Sequence, residues 1–177
     1  VRWLIACVLA VSSSFATADG PVYGEVQLAA AGVQHSDLDF YPVFGSVSVG
    51  AFLLPGFGIE VFADSGLASD RRGGFHLEVK EAYGVAARFQ SPPSRGVQGY
   101  IVLGWVNFTV DQQASATASL AGSSITEDFQ GARVSIGVMQ RMQRFRNLLF
   151  SFEYRHYNAG EPLRMDALVL GLRVNTP

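Results

Sequence analysis

Apolar and polar residues alternate with a period of two over long stretches of this chain, and the polar side repeatedly carries Glu, Arg or Lys. In Phe150-Ser151-Phe152-Glu153-Tyr154-Arg155 the aromatic residues share one parity and the charges lie on the other. Successive side chains of a strand point to opposite faces, so this pattern reads as β structure with one apolar and one charged face.

The alternation predicts eight strands: Val22–Ala31, Val43–Leu54, Phe57–Ala68, Phe75–Gln90, Val97–Val110, Phe129–Met142, Asn147–Tyr157 and Met165–Val174. Glu81 breaks the pattern of the fourth, and the fifth is apolar on both faces. Pro55-Gly56 and Ser91–Gly96 carry turn chemistry. The connections alternate in length. Gly32–Pro42, Ser69–Gly74, Asp111–Asp128 and Asn158–Arg164 are polar and rich in Gly, Ser and Asp, and the intervening ones are mostly short. Short turns at one end and longer loops at the other are the asymmetry of a membrane barrel.

Residues 1–18 read as a signal peptide. Arg2 supplies the basic n-region, Trp3–Val11 the apolar h-region and Ala16-Thr17-Ala18 the small-x-small cleavage site. The expected mature chain, residues 19–177, is one domain. Cys7 is the only cysteine and leaves with the leader, so neither a disulfide framework nor a thiolate site is expected. A net charge of −2 without a basic run argues against nucleic acid as a partner. No later apolar segment is long enough for a transmembrane helix, which leaves a closed barrel as the way to satisfy every backbone group in lipid.

Alternation alone does not say which face looks outward. A soluble, lipocalin-like barrel turns its charges to water, and a membrane barrel turns them inward. The strands are long enough to cross a bilayer at a tilt, which takes roughly 9–11 residues. The charged face also holds both signs in near balance, with Glu25, Glu60, Glu78 and Glu153 against Lys80, Arg88, Arg133, Arg155 and Arg173. A narrow interior requires such pairing. Aromatic residues near strand ends, Tyr23, Phe89 and Tyr100 on one rim and Phe40, Tyr41 and Phe108 on the other, are expected to form interfacial girdles. The predicted fold is an eight-stranded antiparallel up-and-down transmembrane β-barrel.

With that pattern established, the chain resembles the small eight-stranded outer-membrane β-barrel proteins, the opacity-protein-like or outer membrane protein beta-barrel domain family. The resemblance rests on Gly58-Ile59-Glu60-Val61-Phe62, Gln98–Gly104, Phe152-Glu153-Tyr154-Arg155-His156-Tyr157 and Leu168-Val169-Leu170-Gly171-Leu172-Arg173. It implies a bacterial outer-membrane location. Its implied partners are outer-membrane lipid, the outer-membrane assembly machinery and an extracellular ligand held by the outer loops. Family members usually end in an aromatic residue, whereas this sequence ends Val174-Asn175-Thr176-Pro177.

The inward charges are the candidate site: Glu25, Glu60, Glu78, Lys80, Arg88, Arg133, Glu153, Arg155 and Arg173. An eight-stranded interior is just wide enough for side chains, so they are expected to form a salt-bridged plug, with a minor ion or small-solute pore as the alternative. His35, His76 and His156 lack paired metal-ligand spacing, and Asp37 and Asp39 beside His35 read as loop solvation, so no metal or cofactor is expected. Arg155–Gly160 is similar to a segment of the outer-membrane lipid A deacylases. In that resemblance Asn158 occupies the place of the nucleophilic serine, and an amide lacks the hydroxyl. The expectation is a non-enzymatic barrel with a structural or surface-interaction role.

Overall fold

The computed structural model describes residues 22–35, 38–68, 70–72, 75–114, 124–145, 147–158 and 164–176, with side chains for 22–33, 41–68, 81–109, 130–145, 147–158 and 165–176. The expected leader and its cleavage site lie outside the described residues.

Ten strands run in chain order: β1 (Val22–His35), β2 (Leu38–Phe40), β3 (Val43–Leu54), β4 (Phe57–Ala68), β5 (Asp70–Arg72), β6 (Phe75–Gln90), β7 (Val97–Ala114), β8 (Ser124–Arg141), β9 (Leu148–Asn158) and β10 (Arg164–Asn175). β2 and β5 are short pieces paired to β1 and β6. The other eight pair as antiparallel neighbours, and β10 returns to β1 from Tyr23↔Asn175 to Gln34↔Arg164. The eight long strands therefore close into a barrel.

The two faces follow the alternation. Ile136 is 60% exposed, and Val134, Phe150, Phe152, Leu170 and Leu172 are exposed beside it on the outer surface. On the opposite parity Glu25, Glu60, Arg88, Arg133, Glu153, Arg155 and Arg173 are buried. An apolar exterior around a polar, filled interior is the membrane arrangement and the inverse of a soluble barrel. β7, apolar on both faces, is oriented by register. Val102 pairs with Arg88 on β6 and Ser135 on β8, and it shares their inward face. Ile101, Leu103 and Trp105 point out.

Two expectations are corrected. Tyr23, Tyr100 and Phe108 are buried in the lumen and belong to no outer girdle, while Phe89 and Tyr41 are exposed. Parity, not nearness to a strand end, decides their direction, and all three share the inward parity of the charges. Phe40's side chain is outside the described residues. The polar connections are also shorter than expected. β7 and β8 continue pairing through Asp111↔Thr126 to Gln113↔Ser124, β1 and β2 pair within Gly32–Pro42, and β5 forms within Ser69–Gly74. Antiparallel backbone pairing continues past the point where side-chain alternation ends, because the ladder satisfies peptide groups whatever the side chains are.

Candidate functional site in the barrel interior

Every second residue of each barrel strand is delivered to the lumen, and the closed register brings residues far apart in sequence to common levels. Glu25 on β1 lies directly opposite Arg173 on β10. Their side chains meet, with Arg173 Nε and Nη2 each 3.2 Å from Glu25 Oε2. Arg88 Nη1 then bridges Glu25 Oε2 at 3.6 Å and Glu60 Oε2 at 3.2 Å. Arg133 Nη2 lies 3.7 Å from Glu60 and 3.5 Å from Glu153. Arg155 Nε donates to Glu153 Oε1 at 2.7 Å, and Arg155 Nη1 lies 3.7 Å from Asp64. Four arginines and four carboxylates thus alternate in one unbroken, charge-balanced ladder along the lumen.

Hydroxyls and amides add hydrogen bonds to the carboxylates, although Glu60 Oε1 and Asp64 Oδ1 have no hydrogen-bond partner among the described residues. Glu25 Oε1 accepts from Ser151 Oγ at 2.5 Å and Gln27 Nε2 at 3.0 Å. Arg155 Nη2 donates to Gln27 Oε1. Tyr23, Tyr100 and Tyr157 donate to Glu60, Glu153 and Asp64 at 2.8, 3.0 and 2.7 Å. Tyrosine rings also cover the guanidinium groups, with Arg173 3.6 Å from the Tyr23 centroid and Arg88 3.8 Å from that of Tyr100. Such stacking suits the planar, weakly hydrated guanidinium group.

Two of these tyrosines are held the same way. Tyr23 on β1 lies opposite Gly50 on β3, which lies opposite Glu60 on β4. Tyr100 on β7 lies opposite Gly137 on β8, which lies opposite Glu153 on β9. Each ring crosses a glycine to reach its carboxylate. A Cβ on Gly137 would sit 2.5 Å from Tyr100 Cζ, and one on Gly50 would likewise meet the Tyr23 ring.

Apolar side chains pack against both ends of the ladder, and at the Arg173 end the half-buried Gln90 Oε1 also accepts from Arg173 Nη1 at 3.2 Å. Met139 and Leu149 are buried beside Arg173, where Met139 Sδ accepts from Nη1 at 3.9 Å. At the other end Phe108 packs edge-on against Tyr157 at 4.9 Å between ring centroids, with Phe44 at 6.5 Å. A recess of about 670 Å³ lies on the outer side of the barrel, lined in part by Gly45, Val47 and Ala63.

Seven of the nine residues singled out from the sequence therefore meet in the lumen. Glu78 and Lys80 lie in β6 among residues whose side chains are outside the described set, and the pairing register shifts between Val79 and Glu81 beside them. Asp64 and the three tyrosines complete the ladder and were missed. For Asp64, Tyr23 and Tyr157 the signal was parity, since each falls on the charged face of its strand, whereas Tyr100 lies on a strand apolar on both faces and is turned inward by register.

On the outer surface near the long-hairpin end, His156 Nδ1 lies 2.7 Å from Asp166 Oδ1, and Tyr154 donates to the same oxygen at 2.6 Å. Asn158 follows on the exposed side of β9. Asp37 and the side chains of His35, Asp39 and His76 lie outside the described set. Among the described residues no group of three His, Cys, Asp or Glu is arranged to hold a metal ion.

The barrel is similar to several solved structures. Neisserial surface protein A matches at 18% identity with a TM-score of 0.67, covering 86% of this chain and 96% of that one. Ail, the attachment invasion locus protein of Yersinia pestis, in complex with the heparin analogue sucrose octasulfate, matches at 12% identity and 0.64, covering 90% and 100%. The N-terminal β-barrel domain of Pseudomonas aeruginosa OprF matches at 15% and 0.55, covering 86% and 97%. At such identities the likeness speaks for the fold. No protein of curated function matches in sequence. The model of one family matches residues 3–175. With its closed eight-stranded barrel, apolar exterior and charged interior, the chain belongs to the outer membrane protein beta-barrel domain family.

Proposed function

We propose that this protein is a non-enzymatic barrel of the bacterial outer membrane, with its leader removed near Ala18, whose role is structural or lies in contacts made at its surface. The observation that carries this reading is the filled lumen. The ladder from Arg173 to Asp64 is buried throughout, with Met139, Leu149 and the half-buried Gln90 at one end and Phe108 and Phe44 at the other. A plugged eight-stranded barrel transmits little, so work at the membrane is left to its outer faces and hairpin ends. Surface contact also fits the names of two similar structures, a surface protein and an attachment protein bound to a heparin analogue. The charge here differs from what a sulfated ligand prefers. The long hairpin ends of β6, β7 and β8 carry Glu78, Asp111, Glu127 and Asp128 against Lys80 in sequence, an acidic excess that suits a neutral or cationic extracellular ligand better.

A minor pore is the second reading. Arg88 Nε and Nη2 and Arg133 Nη1 are buried without a hydrogen-bond partner among the described residues. Water is the natural partner of such groups, and a hydrated ladder offers a thin polar path. Planar-bilayer recording separates the two readings. Little or no steady conductance is expected. Large stable channels whose ion selectivity shifts with Arg133→Glu would put the pore first.

A further inference from the structure

The two ends of the barrel differ in charge. The short connections after β3, β6 and β8, residues 55–56, 91–96 and 142–147, hold no Asp or Glu. At this end Arg95, Arg141 and Arg144 are exposed. None of them belongs to the interior ladder. Acidic residues outside the lumen, such as Glu81 and Asp166, lie toward the opposite end.

The arginines are placed by adjoining turns. Ser94 and Val97 exchange two backbone hydrogen bonds of 2.9 Å, which leaves Arg95 and Gly96 as a two-residue loop. Both have positive φ, 51° at Arg95 and 81° at Gly96. Asn or Gly is the usual first residue of such a turn, and a long side chain in this region carries a steric cost. Arg141 N donates to Gly96 O at 2.9 Å, which sets the second arginine against that turn. Arg144 sits in the next turn, closed by Met142 N donating to Leu148 O at 2.9 Å. Large apolar side chains are exposed at the same rim. Phe145 is 56% exposed, with Met142, Val97 and Leu54 also in the open.

Arginines interleaved with exposed apolar side chains, at the edge of a lipid-facing surface, match a bilayer boundary. The apolar groups enter the acyl edge and the guanidinium groups reach phosphate oxygens. We infer that the short-turn end is a headgroup-binding rim for anionic phospholipid, engaging phosphatidylglycerol-type phosphates through Arg95, Arg141 and Arg144. The apolar residues favour lipid over a soluble polyanion, which would leave Phe145 and Met142 in water. The inference is independent of whether the lumen conducts.

The test uses the full chain folded in a zwitterionic detergent. It is titrated with phosphatidylglycerol or phosphatidylcholine of one chain length, and bound lipid is counted by native mass spectrometry. Phosphatidylglycerol is expected to bind preferentially at low salt. Replacing the three arginines by glutamine should weaken that binding by about fivefold for each arginine removed, with phosphatidylcholine unaffected. Glu81→Gln, at the other end, should leave the preference unchanged. Folding of each variant is checked by its heat-dependent gel mobility. Equal retention of the two lipids by the unaltered protein overturns the inference, as does an undiminished preference in the glutamine variant. A preference that Glu81→Gln raises as much as one arginine lowers it would show a response to overall charge and would also overturn it. A glutamine variant that loses binding to polyglutamate and keeps binding to phosphatidylglycerol would assign the rim to a soluble polyanion instead.

Discussion

Tyr100 reaches Glu153 across the bare backbone of Gly137, its hydroxyl donating to Oε2 at 3.0 Å. The interior tolerates this crossing because the middle strand carries no side chain there, with a Cβ position only 2.5 Å from Tyr100 Cζ. A buried carboxylate gains a donor and the lumen gains a filling ring in one step.

Gly137→Ala should therefore destabilise the folded barrel by about 1–3 kcal/mol through overpacking. Tyr100→Phe should cost about 1.5–3 kcal/mol, since the lost hydrogen bond has a charged acceptor. The two effects should be coupled. In a Tyr100→Ala background, Gly137→Ala should cost clearly less, as measured by urea unfolding in lipid vesicles. Additive costs would show that the crossing carries no strain.

The outer face is tested at Ile136 and Trp105. Ile136→Arg places a charge at mid-bilayer and should cost roughly 2–4 kcal/mol. Undisturbed folding into vesicles would contradict the assigned face. Trp105, 53% exposed on the outer surface, is the only tryptophan beyond the expected leader. Its fluorescence should be quenched by brominated acyl chains once the barrel folds into them.

Arg155 joins Glu153 and Asp64 in the lumen. Arg155→Met should cost about 3–5 kcal/mol, because it strands buried charge. Adding Asp64→Asn should restore part of the loss. In phosphatidylcholine vesicles Arg144→Met, at the exposed rim, should stay within about 0.5 kcal/mol of the unaltered protein. Equal effects of the two methionine variants in vesicle unfolding would mean that the ladder is not a connected unit.

The His156–Asp166–Tyr154 cluster faces outward, yet Asn158 supplies no hydroxyl beside it. The folded protein should release no fatty acid from lipid A in detergent. Fatty-acid release that disappears with His156→Ala would overturn the non-enzymatic reading, and a loop serine would then be the first nucleophile to examine, since Tyr157 is buried in the lumen on the opposite face of β9. In the absence of activity, His156→Ala should shift stability by no more than about 1 kcal/mol, as for an exposed pair.

Strand existence and facing were legible wherever the two parities differ in chemistry. Phe150–Arg155 has one reading, because a one-residue slip would turn every charge to lipid. Where the parities match, the sequence alone decides little. β7 carries Ile101, Leu103 and Trp105 on one side and Val102 and Val106 on the other, and only pairing with Arg88 and Ser135 turns Val102 inward. The tyrosines show the same division. Position near a strand end suggested a girdle for Tyr23 and Tyr100, whereas the closed barrel presents each with a carboxylate two strands away across a glycine. Asp64 belongs to the ladder through Arg155, a partner on a distant strand that local pattern does not reveal. The amino-acid sequence by itself determines which residues share a face, since that follows from backbone geometry within a strand. Which of them touch is decided by closure of β10 onto β1 and the register of the strands between, a property of the whole ring.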